Sequence, residues 1–141
     1  MIEMKTDVNK VHRRFDRADV DFRRGCMDGL RKSGQIVRER IRWLIKNPPK
    51  TGIKYPNLPN RSSAGGEAPA YQFGNLWKGV KYVVHRWDLM EVGDTVRYGG
   101  FLEYGTSRMK PRPHISTAVT QTFNSVRVAI EMMVNRRMSE R

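Results

Sequence analysis

One uninterrupted helical pattern, from about Asp16 to Lys46, constrains this chain more than any other feature. Apolar or small residues recur at Met27, Leu30, Gly34, Val37, Ile41 and Leu44, in alternating steps of three and four. That alternation is close to the coiled-coil period and draws one seam along the helix. Phe15, Ala18 and Phe22 extend it backward, and Asp7 can cap an earlier start. The first fifteen residues therefore read as more helix or as a frayed arm. Pro48 and Pro49 stop the helix, because proline lacks the N–H and clashes with the preceding turn. About thirty residues at ~1.5 Å each make a rod of roughly 45 Å. A rod that long, in a chain of 141 residues, needs a surface to lie against.

The segment after the rod differs in kind. Residues 47–75 hold Pro48, Pro49, Pro56, Pro59 and Pro69, with Gly52, Gly65, Gly66 and Gly74. So long a loop in a small domain is functional or disordered, and it reads as an extended arm lying on a neighbour. Its Ser62–Ala70 run lacks the spacing of a nucleotide-binding loop, and no strand precedes it. From about Leu76 the period changes to that of strands. Residues 79–86, Leu89–Val92 and Thr95–Tyr98 read as a three-stranded antiparallel meander, with turns at His85–Asp88 and Gly93–Asp94. After Pro113 a second helix runs to about Met138, with an apolar stripe at Ile115, Val119, Phe123, Val126, Ile130 and Met133. The expected fold is α+β in a single domain over 1–141: a long N-terminal helix, a small sheet, and a C-terminal helix packed on it.

Charge narrows the partners. The net charge of +13 points to a polyanion, an acidic protein neighbour, or strong solubility. Arg17, Arg24, Arg31 and Arg38 form a basic row at heptad spacing. It reads as a solvated face braced by Asp21 and Asp28, as a contact for an acidic subunit, or as a nucleic-acid contact. The terminal Arg136, Arg137 and Arg141 suit the negative end of a helix dipole. No apolar run is long enough to span a membrane, and the N-terminus has no signal-peptide core. These features suggest a protein made in a cytoplasm.

Catalytic chemistry finds little purchase. Cys26 is the only cysteine, so no internal disulfide forms. His12, His85 and His114 are scattered singly, without metal-ligand spacing. Ser62, Ser63 and Thr106 have no base partner at a recognisable spacing. No enzyme activity, cofactor or metal is expected. The most pointed stretch is instead Tyr98-Gly99-Gly100-Phe101-Leu102-Glu103-Tyr104-Gly105-Thr106-Ser107-Arg108-Met109-Lys110-Pro111-Arg112-Pro113-His114. It reads as a glycine-rich turn running into a strap that Pro111 and Pro113 stiffen around Arg112. Glu103 is expected to pair with Arg108 or Arg112 across this joint.

That stretch resembles the "Y-A-x-x-x-E-x-G-T-x-x-M-x-x-R-P" signature of a tailed-phage family of tail-completion, or head–tail joining, proteins, kin of the lambda minor tail protein Z. Two further landmarks stand in family order. Pro49-Lys50-Thr51-Gly52 followed by Ala64-Gly65-Gly66-Glu67-Ala68-Pro69-Ala70 is similar to a Pro-Gly-Glu-x-Pro segment. Gly74-Asn75-Leu76-Trp77-Lys78-Gly79-Val80 is similar to a Gly-x-Leu-x-x-Ser-Ile lead-in to the first strand. The chain departs from the pattern at Ala64-Gly65, at Gly79, and at His114, where an aromatic or aliphatic residue is usual. The resemblance implies a virion protein of the neck or tail top, assembled in the host cytoplasm into a homo-oligomeric ring, six-fold by analogy with tail symmetry. It implies neighbouring connector, tail-terminator or tail-tube proteins, packaged DNA nearby, no membrane and no cofactor. Either head–tail joining or tail termination fits. The interface residues expected are Gly65, Gly66, Glu67 and Pro69 on the arm, with Tyr98, Glu103, Gly105, Thr106, Arg108, Met109, Arg112 and Pro113 on the joint.

Overall fold

The computed structural model describes residues 8–140. They form α1 (Val8–Lys46), α2 (Asn75–Gly79), β1 (Val80–Arg86), β2 (Leu89–Asp94), α3 (Gly99–Tyr104) and α4 (Ile115–Ser139). Helix α1 is 39 residues long, so much of the N-terminal stretch is helix; Asp7, the suggested cap, lies outside the described residues. Its C-terminal half carries the core. Val37, Ile41, Leu44 and Ile45 pack with Leu76, Val80 and Ala118.

Two partners flank α1 beyond its exposed N-terminal turns, residues 9–17. One is α4, which runs antiparallel to it: Gly25 faces Val134, Gly29 faces Ile130, and Arg40 bonds Gln121. The approach is close because the residues between are small. A Cβ on Gly25 or Gly29 would lie 2.7 Å from the Cα of Val134 or Ile130. Ser33, fully buried, turns its hydroxyl back to the Gly29 carbonyl at 2.7 Å. The expected seam is thus corrected in its first half. Met27 and Leu30 are only half-buried, while Gly25, Cys26, Gly29 and Ser33 are buried. Burial raises the Cys26 thiol above its ordinary pKa.

The stripe on α4 is corrected for the same reason. Ala118, Thr122 and Ala129 face inward, whereas Phe123 stays 65% exposed and Val119 is also exposed. Large side chains cannot sit where two helix backbones nearly touch. Val126, Ile130 and Met133 keep their expected side, half-buried.

The second partner is the β-hairpin. Tyr82 lies on Gly34, where any Cβ would overlap its ring, and Trp87 at the hairpin tip meets Phe22 edge-on at 6.1 Å. Arginines of α1 stack on the aromatics of this flank: Arg23 on Trp87, Arg38 on Tyr82 and Arg42 on Trp77, at 5.3, 5.3 and 4.4 Å from the ring centres. Such contacts hold a small sheet on a polar helix at about 0.5–1 kcal/mol each.

The sheet has two strands, not three. β1 pairs antiparallel with β2 from Val80 opposite Asp94 to Arg86 opposite Leu89, around the expected turn at Trp87–Asp88. Gly93 and Asp94 belong to β2 rather than to a turn, since Gly93 pairs with Lys81. Thr95–Tyr98 is not a strand. Thr95 closes back on Gly79 through N–H···O at 3.0 Å, and the chain then enters α3. α4 meets the sheet at its first turns, where Ile115 and Val119 line a groove with Tyr82, Val83 and Val92.

Candidate functional site

The arm and the joint, which the sequence separates by some thirty residues, are bonded to each other. Gly66 donates to the Pro111 carbonyl at 2.8 Å, and Gly65 packs on the Lys110 side chain. The arm is a folded loop rather than a loose extension. Gly52 and Ser62 bridge it, with Gly52 N–H to Ser62 O at 2.9 Å and Ser62 N–H to Ile53 O at 3.0 Å. Glu67 is its clasp, accepting from Thr51 N–H at 3.1 Å, from the Thr51 hydroxyl, and from Ala64 N–H at 2.9 Å. The Thr51 hydroxyl first, then the two N–H groups, hold the Glu67 carboxyl down at about 2. Lys50 donates to Leu44 O at 2.8 Å, tying the arm to the end of α1. Burial lowers the Lys50 ammonium pKa, against the pull of Glu67.

The joint is built around Glu103. It does not pair with Arg108 or Arg112. Its carboxylate accepts the N–H groups of His114 (2.9 Å), Ile115 (3.0 Å) and Ser116 (2.9 Å). These are orphan donors of the first turn of α4, where the helix dipole also favours an anion. α3 exists to deliver that carboxylate. Gly99 and Gly100 sit within this short helix at ordinary angles, so the expected glycine-rich turn is a helix instead. Gly105 is the glycine of this stretch with a left-handed backbone: its φ is +73°, and a Cβ would meet Met109 O at 2.8 Å. Thr106 then turns the chain, its hydroxyl accepting from Arg108 and Met109 N–H. Burial pushes Glu103 upward, but the Ser116 hydroxyl and the three N–H groups outweigh it. The carboxyl ends below its ordinary range.

Under this cap lies a histidine. His114 is 0% exposed, with Nε2 2.9 Å from Asp94 Oδ2 and Nδ1 3.1 Å from Glu103 Oε2. The hydrogen-bond partners of its ring are Asp94 at Nε2 and the Arg112 carbonyl, 3.3 Å from Nδ1, and a neutral imidazole can donate to only one of them. The His114–Asp94 bond is what draws the end of β2 toward α4. Asp94 also touches Gly99, where any side chain would overlap its carboxylate. Sequence reasoning singled out none of this trio as a set. His114 was visible as one of three scattered histidines and as a departure from the family pattern, and Asp94 read as a turn residue.

Between arm and joint is a cleft of about 250 Å³, walled by Leu58, Tyr71, Leu76, Trp77 and Leu102 and reached by Ser63, Pro69, Tyr98 and Arg112. Arg112 is anchored by its own N–H to Leu102 O at 2.6 Å. Its Nε and the Ser63 hydroxyl are buried without a hydrogen-bond partner. Of the expected interface residues, Pro69 and Glu103 are buried, Glu67, Gly105, Met109, Arg112 and Pro113 half-buried, and Gly65, Gly66, Tyr98, Thr106 and Arg108 exposed.

No family model, no curated protein and no solved structure matches this chain. Among the described residues no group of three or more His, Cys, Asp or Glu is arranged to hold a metal ion, and no helix is long and apolar enough to cross a membrane. The basic row divides. Arg17 and Arg24 are exposed, Arg31 bonds Asp28 at 3.0 Å as its spacing predicts, and Arg38 is half-buried over Tyr82.

Proposed function

We propose that this chain is a structural subunit of a tailed-phage neck, a ring-forming tail-completion or head–tail joining protein. One observation carries most weight. The arm and the joint, which bear the family likeness, are bonded into one unit whose α3 leaves Phe101 and Tyr104 exposed, Tyr104 at 83%. Exposed aromatics clustered on a short, braced element mark a surface meant for a partner. A closed ring needs two different patches that meet head to tail. With arm and joint forming one patch, the other falls to the α1–α4 rod, where Phe15, Phe123 and Met132 are exposed.

Sedimentation velocity and negative-stain microscopy of the purified chain test this directly. The expected result is a ring of about six copies, alone or with neck and tail proteins. A strict monomer under both conditions would sink the proposal. Particles assembled without the protein separate the two neck roles: full heads beside finished tails indicate joining, and overlong tails indicate termination. Arg112→Ala should leave a folded subunit that assembles poorly; unchanged particle yield removes the joint from the interface.

A second reading, contact with DNA, is favoured by a groove beside β1 that gathers Arg31, Arg38, Arg42 and Lys81 around Tyr82. It predicts affinity that falls steeply with salt. Binding that survives unchanged in the quadruple Ala variant would remove it.

A further inference from the structure

We infer that the cleft between arm and joint is a receptor for an acidic side chain flanked by an apolar one, presented by a partner protein. Two buried groups there have nothing to bind. The Ser63 hydroxyl belongs to a residue only 2% exposed, and Arg112 Nε is likewise buried; neither has a hydrogen-bond partner, and both residues reach the same cleft. A guanidinium has donors only, so what is missing at Arg112 is an acceptor. A hydroxyl can turn to donate to that same acceptor. Buried polar groups are otherwise nearly always satisfied, and leaving them unmet is costly.

The chain's own carboxylates in these two segments are engaged elsewhere. Glu103 caps α4, and Glu67 clasps Thr51 and Ala64. A carboxylate from outside supplies the two oxygens the site lacks, in the pairing a guanidinium binds best. The walls are apolar and aromatic, which selects a hydrocarbon next to the charge and disfavours a free phosphate. At about 250 Å³ the cleft takes one or two side chains and lies below the usual size of small-molecule pockets, about 300–1,000 Å³. Phe73, 66% exposed, and Tyr98 border it; a polypeptide would cover them where a small acid would not. The strongly positive chain also favours an acidic partner.

This inference rests on the proposed neck role only in expecting the partner to be a neighbouring virion protein. Its test is separate. The full chain, labelled with ¹⁵N, is titrated with acetyl-Leu-Asp-Phe-amide, with its Asn analogue, and with 3-phenylpropionate. The Asp peptide should shift the Arg112 Nε–H and Trp77 indole resonances saturably. The Asn analogue and phenylpropionate should each bind at least about tenfold more weakly. Ser63→Ala and Arg112→Lys should each weaken the Asp peptide by a similar factor. Ser63→Ala should also raise the melting temperature of the free protein, because it deletes an unmet buried hydroxyl. That rise confirms the variant is folded. Equal binding of the Asn analogue would overturn the carboxylate assignment, and equal binding of phenylpropionate the peptide assignment. No saturable shift with any probe would overturn both, whereas ring assembly is read independently by sedimentation.

Discussion

At the scale of single residues, the tightest constraint is at His114. One imidazole sits between two buried carboxylates, Asp94 from the sheet and Glu103 from α3, and so locks three elements together. Phenylalanine at this position would fit the apolar habit of the family that the joint resembles and yet fail here. It would leave Asp94 buried without its partner, a loss of about 3 kcal/mol, the lower end for a broken buried pair. Urea denaturation of His114→Phe should show that loss as a lower midpoint with an unchanged slope. Glu103 predicts a pH dependence. Its folded pKa is lowered, so its contribution is complete above the unfolded value of ~4.3 and is lost as pH falls through the folded value below it. The melting temperature of the wild type should therefore fall more steeply below about pH 4 than that of Glu103→Gln. Glu67 acts with the same sign, so the arm's clasp should release only as pH approaches about 2. Sequence marked Glu103 as the pivotal carboxylate but gave it the wrong partners. The basic residues nearby in sequence were visible; the bare N–H groups at the start of a helix that begins only at Ile115 were not.

At the scale of elements, α1 decides the architecture by which of its faces are small. Glycine in an exposed helix interior is a defect, and Gly→Ala there gains about 1 kcal/mol. At Gly29 the sign reverses, because the new methyl would press on the Ile130 backbone at 2.7 Å and overpacking costs about 1–3 kcal/mol. Gly29→Ala should thus lower the melting temperature, by several degrees in a differential scan. The rod, its end at the prolines and the second helix were all legible from periodicity and proline alone. The face of each helix was read less well. Large apolar side chains advertise a face in a sequence, and this seam is made by Gly25, Gly29, Ser33, Ala118, Thr122 and Ala129. The third strand failed for a related reason. Thr95–Tyr98 has strand composition, but the bond from Asp94 to His114 and the return of Thr95 to Gly79 turn the chain away from the sheet.

At the scale of the whole molecule, the order of helix, sheet and helix could be read from the sequence, and the arm and the joint each stood out in it by their prolines and glycines. That those two segments touch each other could not. Nothing in the spacing of Gly66 and Pro111 announces the bond between them. The antiparallel pairing of α1 with α4 has a mechanical outcome. Residues 8 and 139 both lie at the end of the rod remote from the cleft, because Val134 faces Gly25 while Ile45 lines the cleft. Tension applied between handles at these two sites would peel the helices apart one turn at a time, like a zip opened from its tail. Optical tweezers should record a gradual, low-force ripping of α1 from α4, then a sharper event when the Glu103 cap gives way. The grip on any partner in the cleft would be the last part of the molecule to feel the pull.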